Sequence, residues 1–312
     1  MKRRIGILTS GGDCPGLNAA IRGVARAAYE MFDAEIVGIH DGYRGLIEAD
    51  YSEMTRSQFS GILTLGGNGT HKTANLLSEE GLNVIGLPKT IDNDLYGTDF
   101  TFGFHTANDI ATEVIDRIHT TAASHGRVMV IEIMGNKAGW LTLYSGVAGG
   151  ADVILIPEIP YNIDKVAEVV QRRAENNKGF TIIAVAEGAM DLEEAKMKKK
   201  DRETRRAETR FSSSAYVAKL LQDKVGVEAR NVIPGHIQRG GTPSAYDRVL
   251  STEFGVHAAE LIRDGIFGVT VALRGNDITH NPLKFVAGVA KPVPVDHHMV
   301  KTAKNIGIVF GD

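Results

Sequence analysis

The stretch "ILTSGGDCPGLNAAIRG" (residues 7–23) decides the fold. An apolar run enters a glycine-rich turn, and apolar residues at three- and four-residue spacing follow, which predicts a strand, a tight turn and a helix. Glycines let backbone N–H groups converge and the helix adds its positive end, so this corner can seat a phosphate. A tight turn without a ligand is the alternative. No Gly-Lys-Ser/Thr follows, which argues against a Walker A loop.

The same alternation of strand and helix patterns runs along the whole chain. It predicts the α/β class with parallel strands and crossover helices. The predicted strands are Ile5–Thr9, Glu35–Ile39, Asn83–Leu87, Arg127–Ile133, Val153–Ile156, Thr181–Ala186 and Val269–Leu273. The predicted helices are Leu17–Met31, Thr106–Thr120, Ile163–Asn176 and Thr252–Arg263. Glycine-rich corners recur after the strands, and in an open parallel sheet such corners gather at the edge where ligands bind.

Length and charge exclude several classes of protein. A chain of 312 residues suits two domains or one large α/β unit. Its longest apolar runs fall far short of the roughly 20 residues that span a bilayer. A net charge of −3 argues against a nucleic-acid partner, and the basic run Lys196–Arg210 is typical of a solvated helix. Because Cys14 is the single cysteine and the N-terminal apolar run is typical of a first strand, a cytoplasmic location is predicted.

A second glycine corner, "LGGNGT" (65–70), repeats the pattern of the first. Gly66, Gly67 and Gly69 leave room for a polyphosphate, and two such corners favour phosphate binding over plain turns. Asn68 offers a neutral oxygen to a magnesium ion.

The stretch "GLPKTIDNDL" (86–95) places a cation and two carboxylates at the end of a predicted strand. Phosphoryl transfer to an alcohol needs a base for the hydroxyl proton and cations for the moving charge. Asp92 is the candidate base, and Lys89 is placed to neutralise a phosphate. Asp94 is a candidate to orient that base, to bind metal through water or to cap the next turn.

A phosphorylated sugar as acceptor would need a cationic seat of its own. The candidates are Arg127, Arg230, and His236 with Arg239 in "GHIQRGG" (235–241), since arginine suits bidentate phosphate binding. Each arginine alone is more typical of a surface ion pair. Glu187, directly after an apolar strand, is placed to accept sugar hydroxyls or to cap a helix.

Five motifs together resemble those of 6-phosphofructokinases, in the same order and over nearly the whole chain. They are "LTSGGDCPGLNAAIRG", "GLPKTIDND", "SHGRVMVIEIMG", "AVAEG" and "PGHIQRGGTPSAYDR". The resemblance implies two interleaved Rossmann-like, three-layer domains with parallel-rich sheets and an active site in the cleft between them. It places the donor domain at residues 1–103 plus 239–290 and the sugar-phosphate domain at 104–238 plus 291–312.

The resemblance also implies a role for each matched position. Asp92 is the base, Asp94 its acidic companion, and Thr90 positions the acceptor beside Lys89. The donor site is expected to contain Gly11, Tyr43, Gly67, Asn68, Gly69 and Thr70, with Mg²⁺ contacted by Asn68 and Asp94. The sugar-phosphate site is expected to contain Met134, Gly135, Glu187, His236 and Arg239. Arg127 and Arg230 match positions that reach this site from a neighbouring subunit, which implies a homo-oligomer, a dimer or a tetramer.

The donor is predicted from two positions that point in opposite directions. Gly69 favours ATP, because a carboxylate there would crowd and repel the α-phosphate of a nucleotide. Lys89 stands where pyrophosphate enzymes commonly have lysine. This pair resembles an ATP-using branch of the pyrophosphate-like clade, so ATP is predicted and pyrophosphate is the alternative.

Two departures from the family pattern concern the donor site. Asn68 stands where the family usually has an acid, so magnesium is expected to bind more weakly. Between the counterparts of Phe59 and Gly69, the family carries a further segment whose arginine contacts donor phosphates. This chain lacks that segment, either by a true deletion or because residues were omitted from the sequence. Losing one such donor costs roughly 3–4 kcal/mol of barrier stabilisation, by analogy with oxyanion sites.

Three functions are therefore considered. The leading one is a cytoplasmic phosphofructokinase of glycolysis that makes fructose 1,6-bisphosphate from fructose 6-phosphate and ATP. The second is a subunit that binds sugar phosphate or nucleotide without turnover, which the missing segment and Asn68 favour. The third is a kinase for another phosphorylated sugar.

Overall fold

The computed structural model describes residues 2–50, 59–176, 179–209 and 211–312, and Arg210 of the predicted basic helix lies outside them. The protein is an α/β protein with parallel-rich sheets, as predicted. It divides into unit 1, Met1–Thr106 with Arg239–Lys291, and unit 2, Ala107–Gln238 with Pro292–Asp312. The first predicted boundary, after residue 103, lies three residues before the one in the structure. The last predicted boundary, after residue 290, lies one residue before it.

Unit 1 is built on a six-stranded sheet in the order β10-β9-β4-β3-β1-β2. All neighbouring pairs are parallel except β9 and β10. The strands are β1 (Arg3–Thr9), β2 (Ala34–Gly38), β3 (Gly61–Gly66), β4 (Val84–Pro88), β9 (Val269–Arg274) and β10 (Asp277–Pro282). Strands β3 and β4 are buried at every residue, which explains why they are almost uninterrupted apolar runs.

Helices cover this sheet and fix its crossovers. They are α1 (Leu17–Met31), α2 (Tyr43–Glu48), α3 (Asn68–Glu79), α9 (Ala245–Asp264) and α10 (Leu283–Val286). Helix α4 (Phe104–His125) begins in unit 1 and continues into unit 2. Helices α1 and α9 pack closely on each other, and glycines lie at their contact: a Cβ on Gly23 would stand 2.7 Å from the carbonyl oxygen of Thr252.

Unit 2 is built on a four-stranded parallel sheet in the order β6-β7-β5-β8. Its strands are β5 (Val128–Ile133), β6 (Val153–Leu155), β7 (Thr181–Ala186) and β8 (Ala229–Val232). Its helices are α5 (Trp140–Ala148), α6 (Ile163–Glu175), α7 (Lys199–Thr209), α8 (Ser213–Val225) and α11 (His298–Asn305). The core is formed by the apolar faces of the strands with α6 and α8, including Val130, Val166 and Leu221.

All seven predicted strands and all four predicted helices are present, with shifts at their ends. The helix predicted at Thr252–Arg263 begins earlier, at Ala245, because the Ser244 side chain accepts a hydrogen bond from the Asp247 N–H and caps it. Helix α4 likewise exceeds the predicted Thr106–Thr120 at both ends. The central strand β3 was not predicted, since its six residues carry glycine at both ends. No helix within the described ranges is long and apolar enough to cross a membrane.

Candidate functional site

Three loops of unit 1 meet at the carboxyl edge of its sheet. Strands β4, β3 and β1 are neighbours, so the corners that follow them are adjacent. Two backbone hydrogen bonds join these corners: the Ser10 N–H donates to the Leu65 oxygen at 2.9 Å, and the Lys89 N–H donates to the Gly66 oxygen at 3.1 Å. The two predicted phosphate corners and the Asp92 turn are thus brought together within one unit.

The predicted donor loop is the start of helix α3, which begins at Asn68 directly after Gly67. The first N–H groups of a helix have no intrahelical acceptor, so those of Asn68, Gly69 and Thr70 carry the positive end of the helix dipole. A Cβ on Gly69 would meet nothing within 4 Å, which leaves the space beside these amides open. At the first corner, Gly11 is exposed and has a φ of 78°, in the left-handed region. This geometry suits a phosphate.

Side chains behind the donor loop hold it in place. The Tyr43 hydroxyl donates to the Thr70 oxygen at 2.8 Å, and burial raises the pKa of Tyr43 to about 12. His71 is buried, with Nδ1 3.0 Å from the Gly67 oxygen and Nε2 2.8 Å from Thr270 Oγ1. Tyr43 therefore supports the predicted donor loop through Thr70, and His71, which was not predicted, supports it through Gly67.

Asn68, the predicted magnesium contact, makes two hydrogen bonds to another loop of unit 1. Its Oδ1 accepts the Gly288 N–H at 2.7 Å, and its Nδ2 donates to the Val289 oxygen at 3.4 Å. An amide oxygen has two lone pairs, so one bond does not exhaust its capacity as a ligand. Magnesium usually keeps several waters and phosphate oxygens and takes only one or two carboxylates. Asn68 and Asp94 suit that mode, and no group of three His, Cys, Asp or Glu side chains is gathered for a metal in the described part of the chain.

The turn that follows β4 carries the candidate base. Asp92 is 8% exposed, and its N–H donates to Thr90 Oγ1 at 3.1 Å. The Thr90 side chain therefore stabilises the turn in which both residues lie. The Thr90 oxygen in turn accepts the Thr101 hydroxyl at 2.7 Å. Asp94 is half-buried, and burial raises the pKa of its carboxyl. Asp92 and Asp94 therefore lie in a loop that is held by hydrogen bonds.

Lys89 is buried beside the first glycine corner. Its Nζ donates to the Gly12 oxygen, and burial lowers the pKa of this lysine, while the carboxylates of Asp13 and Asp92 act in the opposite direction. Asp92 is thus close enough to Lys89 to interact with its charge. This arrangement places a cation beside Asp92, the candidate base.

Asn93 and Lys291 complete the turn, and neither was predicted to belong to the site. Asn93 has a left-handed φ of 51° and is 1% exposed. Its Oδ1 accepts the Thr101 N–H at 3.1 Å and the Lys291 ammonium at 2.9 Å. Burial lowers the pKa of Lys291 to about 8, against the attraction of Asp99 and Asp94. An asparagine between two acids is a local signal for a left-handed turn, whereas Lys291 lies far away in sequence and gives no such signal.

In unit 2, Glu187 lies at the carboxyl end of β7, beside the loop that follows β5. Its Oε1 accepts the N–H groups of Gly135 and Asn136 at 3.1 and 2.6 Å. The N–H of Met134 donates to Oε1 of the fully buried Gln238 at 3.2 Å. Three predicted sugar-phosphate residues, Met134, Gly135 and Glu187, are therefore neighbours. Gln238, which lies within the quoted "GHIQRGG" motif, was not predicted.

A cavity of about 250 Å³ opens beside Glu187. Glu187 is the one residue of the predicted site among the described residues that line it. Arg206 forms one wall. It pairs with the buried Glu194 at 2.9 Å and donates to the backbone oxygens of Glu187 and Ala189. The Ser213 hydroxyl also donates to the Glu187 oxygen, at 2.8 Å. The backbone of Glu187 is thus fixed from the side of α7 and α8.

Arg127 and Arg230 lie at the opposite end of the unit 2 sheet from Glu187. Both pair with Glu228, Arg127 at 2.9 Å and Arg230 at 2.7 Å, and these bonds lower the pKa of that carboxyl. Arg127 precedes β5, whereas Met134 follows it, and a six-residue strand spans about 20 Å. The two arginines are therefore separated from Met134 and Gly135 of the same chain.

The two ends of the "GHIQRGG" motif fall in different units. His236 of unit 2 is exposed in a short 3₁₀ helix, Gly235–Arg239, whose last residue begins the second segment of unit 1. Arg239 Nη1 donates to the Asp13 oxygen at 3.4 Å, and a Cβ on Gly12 would stand 2.5 Å from that nitrogen. A Cβ at position 12 would therefore require the guanidinium to move aside. Arg239 joins Lys89 at the first corner of unit 1.

The fold and these corners define a Rossmann-like α/β protein. The chain belongs to the phosphofructokinase family, whose model matches residues 4–67 and 54–262. It is 51% identical to the ATP-dependent 6-phosphofructokinase of Spirochaeta thermophila, over 99% of this chain and 98% of that protein. It is 44% identical to the ATP-dependent 6-phosphofructokinase 3 of Bacteroides thetaiotaomicron, over 99% of this chain and 100% of that protein.

Solved structures have the same fold. Phosphofructokinase from Saccharomyces cerevisiae matches with a TM-score of 0.76 and 29% identity, over 91% of this chain and 45% of that one. The pyrophosphate-dependent enzyme from Marinobacter aquaeolei matches with the same TM-score, 22% identity, and coverage of 94% and 86%. At 22% identity, the similarity to the Marinobacter aquaeolei enzyme shows the fold alone.

The comparisons also bear on the segment predicted to be missing. The alignment with the Spirochaeta protein has 358 positions and this chain has 312 residues, so at least 46 positions have no counterpart here. The family model matches residues 54–67 twice, as the sequence would if two similar Leu-Gly-Gly sites had been joined. In the structure β3 leads into α3 with only Gly67 between them.

Proposed function

We propose that this protein is a 6-phosphofructokinase that transfers the γ-phosphoryl group of ATP to the 1-hydroxyl of fructose 6-phosphate, with Mg²⁺. The observation that carries the proposal is the meeting of the Asp92 turn with two glycine corners at one sheet edge of unit 1. Membership of the family and full-length relatives named ATP-dependent 6-phosphofructokinase support the reaction and the donor.

In this mechanism Asp92 accepts the proton of the 1-hydroxyl as its oxygen attacks the γ-phosphorus. The bond from that phosphorus to the bridging oxygen breaks, and ADP leaves. Lys89 and the first amides of α3 neutralise charge on the phosphates. Asn68 and Asp94 would hold Mg²⁺, which when bound would neutralise charge on the donor phosphates.

Unit 1 is the proposed donor unit, because it holds both glycine corners, Tyr43 and the Asp92 turn. Unit 2 is proposed to bind the sugar through Met134, Gly135, Glu187 and His236, while Arg239 of unit 1 serves the phosphate. Arg127 and Arg230 cannot readily join Met134 and Gly135 of their own chain, since a strand length separates them. This separation supports a homo-oligomer in which they serve the site of a neighbouring copy.

The test is a coupled assay of fructose 1,6-bisphosphate with fructose 6-phosphate and either ATP or pyrophosphate. We expect product with ATP and at least a hundredfold loss of kcat in Asp92→Asn, as expected for removal of a general base. Asp277→Asn, an exposed acid in the same unit, is the matched control and should equal the parent. Turnover of Asp92→Asn within tenfold of the parent would show that Asp92 is not the base.

A binding subunit without turnover is the second candidate, and the missing segment is the observation that favours it. Calorimetry that detects fructose 6-phosphate binding, together with no product from either donor, would select it. Product with pyrophosphate but not ATP would instead assign the donor suggested by Lys89. Faster turnover of a different sugar phosphate at fixed ATP would identify another acceptor.

A further inference from the structure

Lys291 holds the turn that contains the candidate base, although it comes from a segment about 200 residues further along the chain. Its Nζ lies 2.9 Å from each of three acceptors: Asn93 Oδ1, the Thr98 oxygen and the Asp99 oxygen. An ammonium group has three protons to donate, so its geometry matches these three acceptors.

The backbone beside Lys291 is attached to the same turn. The Lys291 N–H donates to the Asp94 oxygen at 2.9 Å, and Ala290 forms an antiparallel bridge with Leu95. Lys291 therefore contacts the turn through both its main chain and its side chain. The segment that carries it belongs to unit 1, as does the turn.

Asn93 converts this attachment into a constraint on the two carboxylates. Its left-handed φ of 51° is a conformation that carries an energetic cost for an L-residue, although a smaller one for asparagine, whose short polar side chain can hydrogen-bond locally. Three hydrogen bonds offset that cost: its Oδ1 accepts from the Thr101 N–H and from Lys291, and its Nδ2 donates to the Asp99 oxygen at 3.2 Å. Asp92 and Asp94 flank Asn93, so its dihedral angles set the directions in which both side chains leave the backbone.

We propose that Lys291 is a positioning residue for phosphoryl transfer: by holding Asn93 in its left-handed conformation, it directs the Asp92 carboxylate toward the acceptor hydroxyl. The inference rests on the proposed function, because it assumes that Asp92 is the base. A lysine that merely stabilised the fold would not give a loss of kcat that depends on the presence of Asp92.

Lys291→Met removes the donors and keeps most of the side-chain volume. We expect kcat to fall about ten- to a hundredfold, while KM for ATP and for fructose 6-phosphate stays within threefold, since all three acceptors of the ammonium group are groups of the turn itself. Lys284→Met is the control, because that lysine is exposed in the same unit seven positions earlier. Lys291→Arg, which keeps a cation with several donors, should recover part of the lost kcat.

A double-mutant cycle with Asp92→Asn separates positioning from stability. If Lys291 acts through Asp92, Lys291→Met should change kcat by less than threefold when Asp92 is already asparagine. The same fold loss in both backgrounds would overturn the proposal, and so would a kcat of Lys291→Met within threefold of the parent.

Amide hydrogen exchange keeps the inference separate from the proposed function. If the parent makes no product with either donor, the proposed function fails, yet the Thr101 amide still reports on the turn. We expect that amide to exchange at least tenfold faster in Lys291→Met than in the parent, with β1 unchanged. Unaltered exchange at Thr101 would show that Lys291 does not hold Asn93.

Discussion

His71 shows how a single buried residue ties the donor loop to pH. Both ring nitrogens have partners, the Gly67 oxygen and the Thr270 hydroxyl, and burial lowers the pKa of the ring. The neutral ring suits these partners when Nδ1–H donates to Gly67 and Nε2 accepts from Thr270. The histidine is therefore held uncharged behind the first turn of α3.

This residue gives a prediction for stability. Because its folded pKa lies below the unfolded value of about 6.5, the unfolded chain binds the extra proton first, and stability is lost as the pH falls below that value. We expect the free energy of unfolding to fall between pH 6.5 and 5.5 by up to about 1 kcal/mol more in the parent than in His71→Gln.

Urea denaturation at several pH values measures this difference. His40→Gln, which changes an exposed histidine of the same unit, should keep the slope of the parent. Equal slopes for the parent and His71→Gln would mean that the ring is not held neutral.

At the scale of elements, the pairing of α1 with α9 depends on residues without side chains. A Cβ on Gly255 would stand 2.5 Å from the Ala20 oxygen and 2.7 Å from the Val24 nitrogen, both on the backbone of α1. Backbone atoms cannot turn aside as the end of a flexible side chain can. The two helices therefore cannot keep this distance with any larger residue at position 255.

Gly255→Ala should consequently destabilise the protein. Overpacking costs roughly 1–3 kcal/mol, and the better helix propensity of alanine returns less than about 1 kcal/mol. Gly69→Ala is the matched control, because it changes a helical glycine whose Cβ would meet nothing within 4 Å. We expect the urea midpoint of Gly255→Ala to be lower than that of the parent. The midpoint of Gly69→Ala should not be lowered. A Gly255→Ala midpoint at or above that of the parent would contradict the close contact.

The elements also show what the sequence could and could not reveal. Buried parallel strands are apolar runs, so β4, β5 and β7 were predictable from composition alone. Strand β3 was missed because glycines at both ends hid it among turn signals. The turn at Asp92 was predictable from local chemistry, whereas Lys291, Gln238 and Arg206 act across long sequence separations that no spacing pattern encodes.

At the scale of the whole molecule, the chain is shorter than its relatives by an internal segment. The segment falls within residues 54–67, which the family model matches twice and which end directly before α3. By resemblance it carries an arginine that contacts donor phosphates. Lys89, Arg239 and the amides of α3 offer positive charge beside the glycine corners.

Restoring the segment is expected to accelerate catalysis. Inserting the corresponding stretch of the Spirochaeta thermophila relative before Gly66 should raise kcat with ATP by about 10²–10³-fold, the equivalent of the 3–4 kcal/mol that one lost donor costs. A glycine- and serine-rich insert of equal length is the control and should leave kcat at or below that of the parent. If the graft stays within threefold of the parent, the missing arginine does not limit the rate.

The position of β8 has a consequence for solubility. It is one of the two edge strands of the unit 2 sheet, and such a strand offers unpaired N–H and C=O groups on which another polypeptide can add as a further strand. Strand β8 is only four residues long, and the exposed Arg230 and Asn231 occupy its middle. Short length and a cationic side chain are features that discourage edge-to-edge aggregation, so Arg230 would protect the folded protein from amyloid-like association whether or not it also meets a sugar phosphate.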